Sequence, residues 1–200
     1  MPRRVFNFDR PDRFICGALG EPGRRTFYIQ AAKGAQVVSV ALEKAQVALL
    51  AERLATLLVA LRNGGVAIGE EDPAATQPLR EPVVEQFRVG TLTIGWDGAA
   101  SQVVIEARQL GDDDFDDDEE AEADQAEVAK EAAEAAEVAS VDATDDPRDV
   151  VRVQLEPRAA LDFASGALEV VRAGRPPCPQ CGAPLEASGH FCVRRNGYTN

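Results

Sequence analysis

Three cysteines and the only histidine of the chain fall within fifteen residues, as Cys178-x2-Cys181-x8-His190-x-Cys192. Zinc takes about four nitrogen or sulfur ligands in a tetrahedron, and three thiolates with one imidazole are a common structural set. Two residues between Cys178 and Cys181 let both sulfurs reach one ion. Gly182 permits the left-handed turn that brings backbone N–H groups toward those sulfurs. In an extended chain residues two apart point to the same side, so His190 and Cys192 can meet the ion together. Pro184 and Gly189 let the intervening loop close. The expected cofactor is therefore a structural Zn2+ held by Cys178, Cys181, His190 and Cys192. Two other readings stand beside it. A disulfide is disfavoured by the neighbouring histidine and by a reducing compartment. A catalytic zinc would need an open coordination position, which four protein ligands remove.

A module this small cannot build a core from Leu185, Phe191 and Tyr198, so the metal must hold it. Arg172, Arg175, Arg194 and Arg195 give it a basic rim, compatible with phosphate contact or with a solvated surface. The fourth cysteine, Cys16, lies in an expected strand and reads as a buried core thiol.

Elsewhere the residues for catalysis are sparse. With the single histidine assigned to metal, no Ser-His or Cys-His pair can form without taking that ligand. Asp9, Asp12 and Arg13, in FDRPDRF, form a polar cluster that reads as turn chemistry. Trp96-Asp97-Gly98 reads as a hairpin tip with the indole packed at a strand end. GEPG is a turn, and no GxxxxGK[ST] phosphate loop occurs. No catalytic residue is expected, and the chain reads more as a non-enzyme than as an enzyme.

The elements that must carry these residues come from periodicity and composition. Residues 1–62 read as a first βββα unit. RFICGAL and RTFYIQA flank the GEPG turn, AQVVSVAL follows, and a helix carries Val47, Leu50, Leu54, Leu57, Leu58 and Leu61 on one stripe. Residues 63–82 gather Gly64, Gly65, Gly69, Pro73, Pro78 and Pro82 and read as a connector. Residues 83–172 read as a second βββα unit: FRVGTLTIGW and SQVVIEA around DGAA, then VVRVQL, then a helix with Pro157 in its first turn. That helix turns Ala160, Phe163, Ala164, Ala167, Leu168 and Val171 inward. Residues 173–200 form the zinc-binding module.

The net charge of −13 is concentrated in one place. Residues 111–147 form an acidic low-complexity insertion, with 17 acids against one lysine up to Asp146, and are expected to be disordered. The rest holds 17 acids and 20 bases, a slightly basic body. The two units share three blocks in the same order: Phe14-x-x-Gly17-x-Leu19 with Phe87-x-x-Gly90-x-Leu92, FYIQA with VVIEA, and VVSVALEKAQV with VVRVQLEPRAA. This implies an internal duplication. The expected fold is α+β, with two antiparallel sheets packed about a pseudo-twofold axis.

The blocks FDRPDRFICGALGEPGRRTFYIQA, FRVGTLTIGWD and AGRPPCPQCGAPLEASGHFCVRRNGY resemble an actinobacterial family of uncharacterised proteins, the domain-of-unknown-function 3090 family. The resemblance attaches no activity. It implies neighbouring genes for a phosphatase-like and a kinase-like protein, whose products are candidate partners. Two functions are weighed: an interaction or adaptor protein for a protein partner, and a single-strand nucleic-acid-binding module that uses the sheet and the basic rim. The latter rests on a general likeness of layout to whirly proteins. No apolar run suits a secretion signal or a membrane span, so a cytoplasmic protein without membrane contact is expected.

Overall fold

The computed structural model describes residues 3–21, 23–70, 77–111 and 147–173. The expected zinc ligands Cys178, Cys181, His190 and Cys192, and nearly all of the acidic insertion, lie outside these. Seven strands and two helices follow in the order β1 (Val5–Asp9), β2 (Arg13–Leu19), β3 (Thr26–Lys33), β4 (Gln36–Leu42), α1 (Lys44–Asn63), β5 (Glu85–Asp97), β6 (Gln102–Gln109), β7 (Val150–Leu155) and α2 (Pro157–Arg172). The six strands expected from hairpin signals are all present, and both helices begin and end close to the expected residues. The fold is α+β.

The strands form one mixed sheet in the order β1-β7-β6-β5-β4-β3-β2. This corrects the expectation of two separate sheets. The physical reason is the strand–helix–strand passage from β4 through α1 to β5. Such a crossover returns the chain parallel to the strand it left, and β5 pairs with β4 in parallel at Ser39–Glu85 and Ala41–Arg88. The second ladder, β5-β6-β7, therefore continues the first, β2-β3-β4, edge to edge. Only β3 and β6 run against the others. The two ladders thus share one strand direction and carry their helices on one face.

The first strand was not expected. β1 pairs in parallel with β7, Phe8 opposite Val153, and Phe8 is among the most buried side chains. β1 and β2 lie at opposite ends of the sheet, yet only Arg10, Pro11 and Asp12 join them. Four residue steps span at most about 14 Å, while seven strands laid flat place their edges about 29 Å apart. The sheet must therefore roll. α2 fills the gap between its ends, lying against β2 as well as β6 and β7. Phe14 of β2 stacks on Phe163 of α2 with ring centroids 4.4 Å apart. The two helices pack on each other within the concavity, and one continuous core runs through Phe8, Ile29, Val40, Leu54, Ile105, Val153 and Phe163. The expected inward stripe of α1 holds at Val47, Leu50, Leu54 and Leu58, joined by Ala51.

The outer face is covered on one half. Ile15, Gln30, Ser39 and Ala41 point away from the core yet are buried, because residues 77–81 lie across them. The Gln30 amide exchanges two hydrogen bonds with the backbone of Arg80, accepting from its N–H at 2.8 Å and donating to its carbonyl at 3.1 Å. A Cβ on Gly17 would stand 2.5 Å from Leu79 Cγ, so the close passage of this segment requires glycine there. No helix among the described residues is long and apolar enough to cross a membrane.

Candidate functional site

The chemistry-bearing residues of the body are each tied into the fold. Cys16 lies on the core face of β2, 6% exposed, and burial pushes its thiol up to about 12. It is a core residue, as expected, and a poor nucleophile because the thiolate is the reactive form. Asp12 accepts a hydrogen bond from the N–H of Gly34 at 2.7 Å. Asp9 accepts from Gln102 Nε2 at 2.9 Å, and its carbonyl accepts from Lys33. Arg13 donates to the Pro78 carbonyl, and burial followed by the neighbouring Arg80 charge lowers its pKa. These groups close the two turns at which β1 meets β2 and β3 meets β4, as turn chemistry requires. Asp97 Oδ1 accepts from the N–H groups of Ala99 and Ala100, each at 2.9 Å, so it shapes the hairpin tip. Trp96 packs against the core from the same strand end.

Two ion-pair groups were not anticipated. Glu106 of β6 sits opposite Arg152 of β7 on the outer face, and accepts from Arg152 Nε at 2.5 Å and Arg108 Nη2 at 3.3 Å. Asp149, just before β7, accepts from Arg4 N at 2.7 Å and Arg4 Nε at 2.8 Å. Burial alone would raise the Asp149 carboxyl, but the hydrogen bonds and charge of Arg4 hold it below the usual carboxylate range. This pair secures β1 to β7. Neither group has a sequence signal, since its partners are up to 145 residues apart.

Within the sheet, part of β5 lacks a neighbouring strand among the described residues. β5 is 13 residues long, and its pairing with β4 ends where β4 turns into α1. A register shift falls between Val89 and Thr91, at Gly90. Gln46, in the first turn of α1, covers the carbonyls freed at this point. Its Nε2 donates to Val89 O and Gly90 O, each at 3.1 Å, while its Oε1 accepts from the N–H of Glu43 at 2.9 Å. Beyond Gly90 the β4-facing edge of β5 has no strand beside it among the described residues. A groove of about 220 Å³ runs between this edge and α1, lined by Leu49, Leu50, Arg53, Thr91, Leu92 and Ile94.

Among the described residues no three His, Cys, Asp or Glu side chains group as a metal site. A family model described as a protein of unknown function (DUF3090) matches residues 6–192. No curated protein and no solved structure matches the chain. The match spans most of the sequence, and the chain belongs to the DUF3090 family.

Proposed function

We propose that this DUF3090 protein is a non-enzymatic, zinc-containing interaction protein, acting as an adaptor for a protein partner in the cytoplasm. A rolled α+β body carries a C-terminal module in which Cys178, Cys181, His190 and Cys192 bind one structural zinc. The donor set fits the metal: three thiolates and an imidazole fill a tetrahedron, and the ion then cross-links a segment too short to fold alone. The observation that carries the reading is this ligand spacing on a chain whose body uses its own polar groups for folding. Asp9, Asp12 and Asp97 close turns, Cys16 is buried with its thiol raised, and Glu106 and Asp149 are held by arginines.

The body itself is a tandem duplication in this reading. Both units run strand, strand, strand, helix in one direction, and the three sequence blocks fall on equivalent strands. The zinc module then has no counterpart after α1, which makes it the specialised part. The products of neighbouring phosphatase-like and kinase-like genes are the first partners to test.

Metal analysis of the purified protein should give about one zinc per chain. Affinity capture from native lysate should recover a protein that is lost with Cys178→Ser. A zinc-free wild-type protein, or a metal-free variant that captures the same proteins, overturns the reading.

A further inference from the structure

We infer that the free edge of β5, from Thr91 to Asp97, is a docking site for an extended, acidic and apolar peptide segment of a partner protein. The inference rests on the interaction-protein reading but uses none of the proposed zinc ligands. The fold creates the site by an unequal contest of lengths. β4 must leave the sheet at Leu42 to begin α1, whereas β5 runs on to Asp97. Gln46 satisfies the first two carbonyls past the end of β4. From Thr91 onward, alternate residues of β5 aim N–H and C=O groups away from β6, with no strand to receive them among the described residues. Unpaired strand edges are templates for an added strand, and proteins usually blunt them with charge, proline or a covering element. Thr91, Leu92, Thr93, Ile94 and Gly95 offer none of these blunting side chains.

The side chains define the occupant. Leu92, Ile94 and Trp96 share the core face of β5 but are only half-buried. Leu49, across the groove on α1, is 48% exposed. An added strand would set its alternate side chains beside this row, so it needs apolar residues at every second position. Arg53 stands exposed at the rim and forms no ion pair among the described residues. An unpaired guanidinium beside an apolar row selects a strand that carries a carboxylate. A second copy suits this less: its Thr91–Trp96 lacks acids, its Asp97 carboxylate is engaged by the N–H groups of Ala99 and Ala100, and it would set Arg53 of one copy near that of the other.

The test uses the full-length protein and the probe acetyl-Val-Thr-Val-Thr-Asp-Thr-amide, which puts the carboxylate on the same face as its two valines. Two further probes have lysine in place of aspartate, or alternate backbone amides methylated. The chain has one tryptophan, Trp96, two residues beyond Ile94 on the same face of β5 and within the proposed edge, so its fluorescence reports occupancy. Amide chemical shifts locate it. Expected is a saturable change confined to Thr91–Asp97 and Leu49–Arg53, lost on backbone methylation. Arg53→Glu should weaken the aspartate probe by about fivefold and reverse the order of the aspartate and lysine probes. Absence of any shift at millimolar probe overturns the proposal, as does binding indifferent to methylation or to Arg53→Glu. Concentration-dependent protection of Thr91–Asp97 that tracks a dimer in sedimentation also overturns it, because the edge would then belong to a second copy. Partner capture that depends on Cys178 while the β5 edge stays inert would sink this inference and leave the zinc-module reading standing.

Discussion

Replacing Gln30 with leucine should cost about as much as a large core truncation, although no apolar contact is lost. Gln30 is fully buried. Its amide donates to Ser39 Oγ at 3.0 Å and to the Arg80 carbonyl at 3.1 Å, and accepts from the Arg80 N–H at 2.8 Å. Leucine is of similar size, so cavity formation is a minor part of the effect. The loss is three hydrogen bonds, with a buried hydroxyl and two backbone groups left without their partner. A net bond contributes about 1 kcal/mol, and an orphaned buried group costs about 1–3 kcal/mol. Partial rehydration of the Arg80 backbone reduces that cost, giving an expected destabilisation of about 3–4 kcal/mol. For a chain of this size that is a fall in Tm of roughly 6–16 °C, at about 2–4 °C per kcal/mol. Thermal and urea unfolding would measure it. Hydrogen exchange would place it, since the Arg80 amide should lose protection while the amides of β6 retain theirs. In a double-mutant cycle Ser39→Ala should be nearly additive with the Arg80 contribution and strongly coupled to Gln30. A cost under about 1 kcal/mol with unchanged Arg80 protection would refute the claim that Gln30 anchors this segment.

Further outcomes follow from other named contacts. Phe163→Ala removes the ring that stacks on Phe14 and should destabilise the protein by about 3–5 kcal/mol, read by urea unfolding. The lowered pKa of Asp149 makes its contribution full above the unfolded aspartate value of about 3.9 and lost as pH falls through the lower folded value. Asp149→Asn should therefore be less stable near neutral pH and show a shallower decline of stability below about pH 4, measured by unfolding across pH. Cys16 should resist iodoacetamide in the folded protein at pH 8, whereas the thiols of Cys178, Cys181 and Cys192 should become reactive when a chelator is added. Rapid labelling of Cys16 without unfolding would contradict its burial.

What could be read from sequence divides by the range of the interactions. The hairpin strands were legible because each is set by a local turn: Asp97 folds back on Ala99 and Ala100, and β2, β4 and β7 keep the expected bounds to within a residue. The helices were legible from their stripes and from Pro157 at a helix start. β1 was missed because five residues gain stability only from β7, some 145 positions later. Its alternating Phe6 and Phe8 were the available signal. The joining of the ladders was also legible in principle, since β4, α1 and β5 have the strand–helix–strand order that favours a parallel crossover. Two separate antiparallel sheets was the wrong inference from that order. In the body, Asp9, Asp12, Asp97 and Cys16 do what their residue types suggested. Gln30, Gln46 and Glu106 carry no such signal, because an amide or carboxylate inside a strand or helix shows its purpose only when its distant partners are known.

Gln46 shows how the fold and the open surface are one problem. A sheet in which β4 ends and β5 continues must leave carbonyls bare at the point of departure, and buried bare carbonyls are costly. A helix starting there places a side chain within reach. Glutamine can satisfy two carbonyls with one NH2 while its oxygen caps the helix. That arrangement repairs the sheet only as far as Gly90. Extending the repair would need a longer β4 or a second polar side chain one turn along α1, where Leu49 and Leu50 stand instead. Those leucines offer apolar surface to an incoming strand and no substitute for its hydrogen bonds. The groove is therefore suited to a ligand that brings its own backbone, which is why a methylated probe is the sharper control than a shortened one.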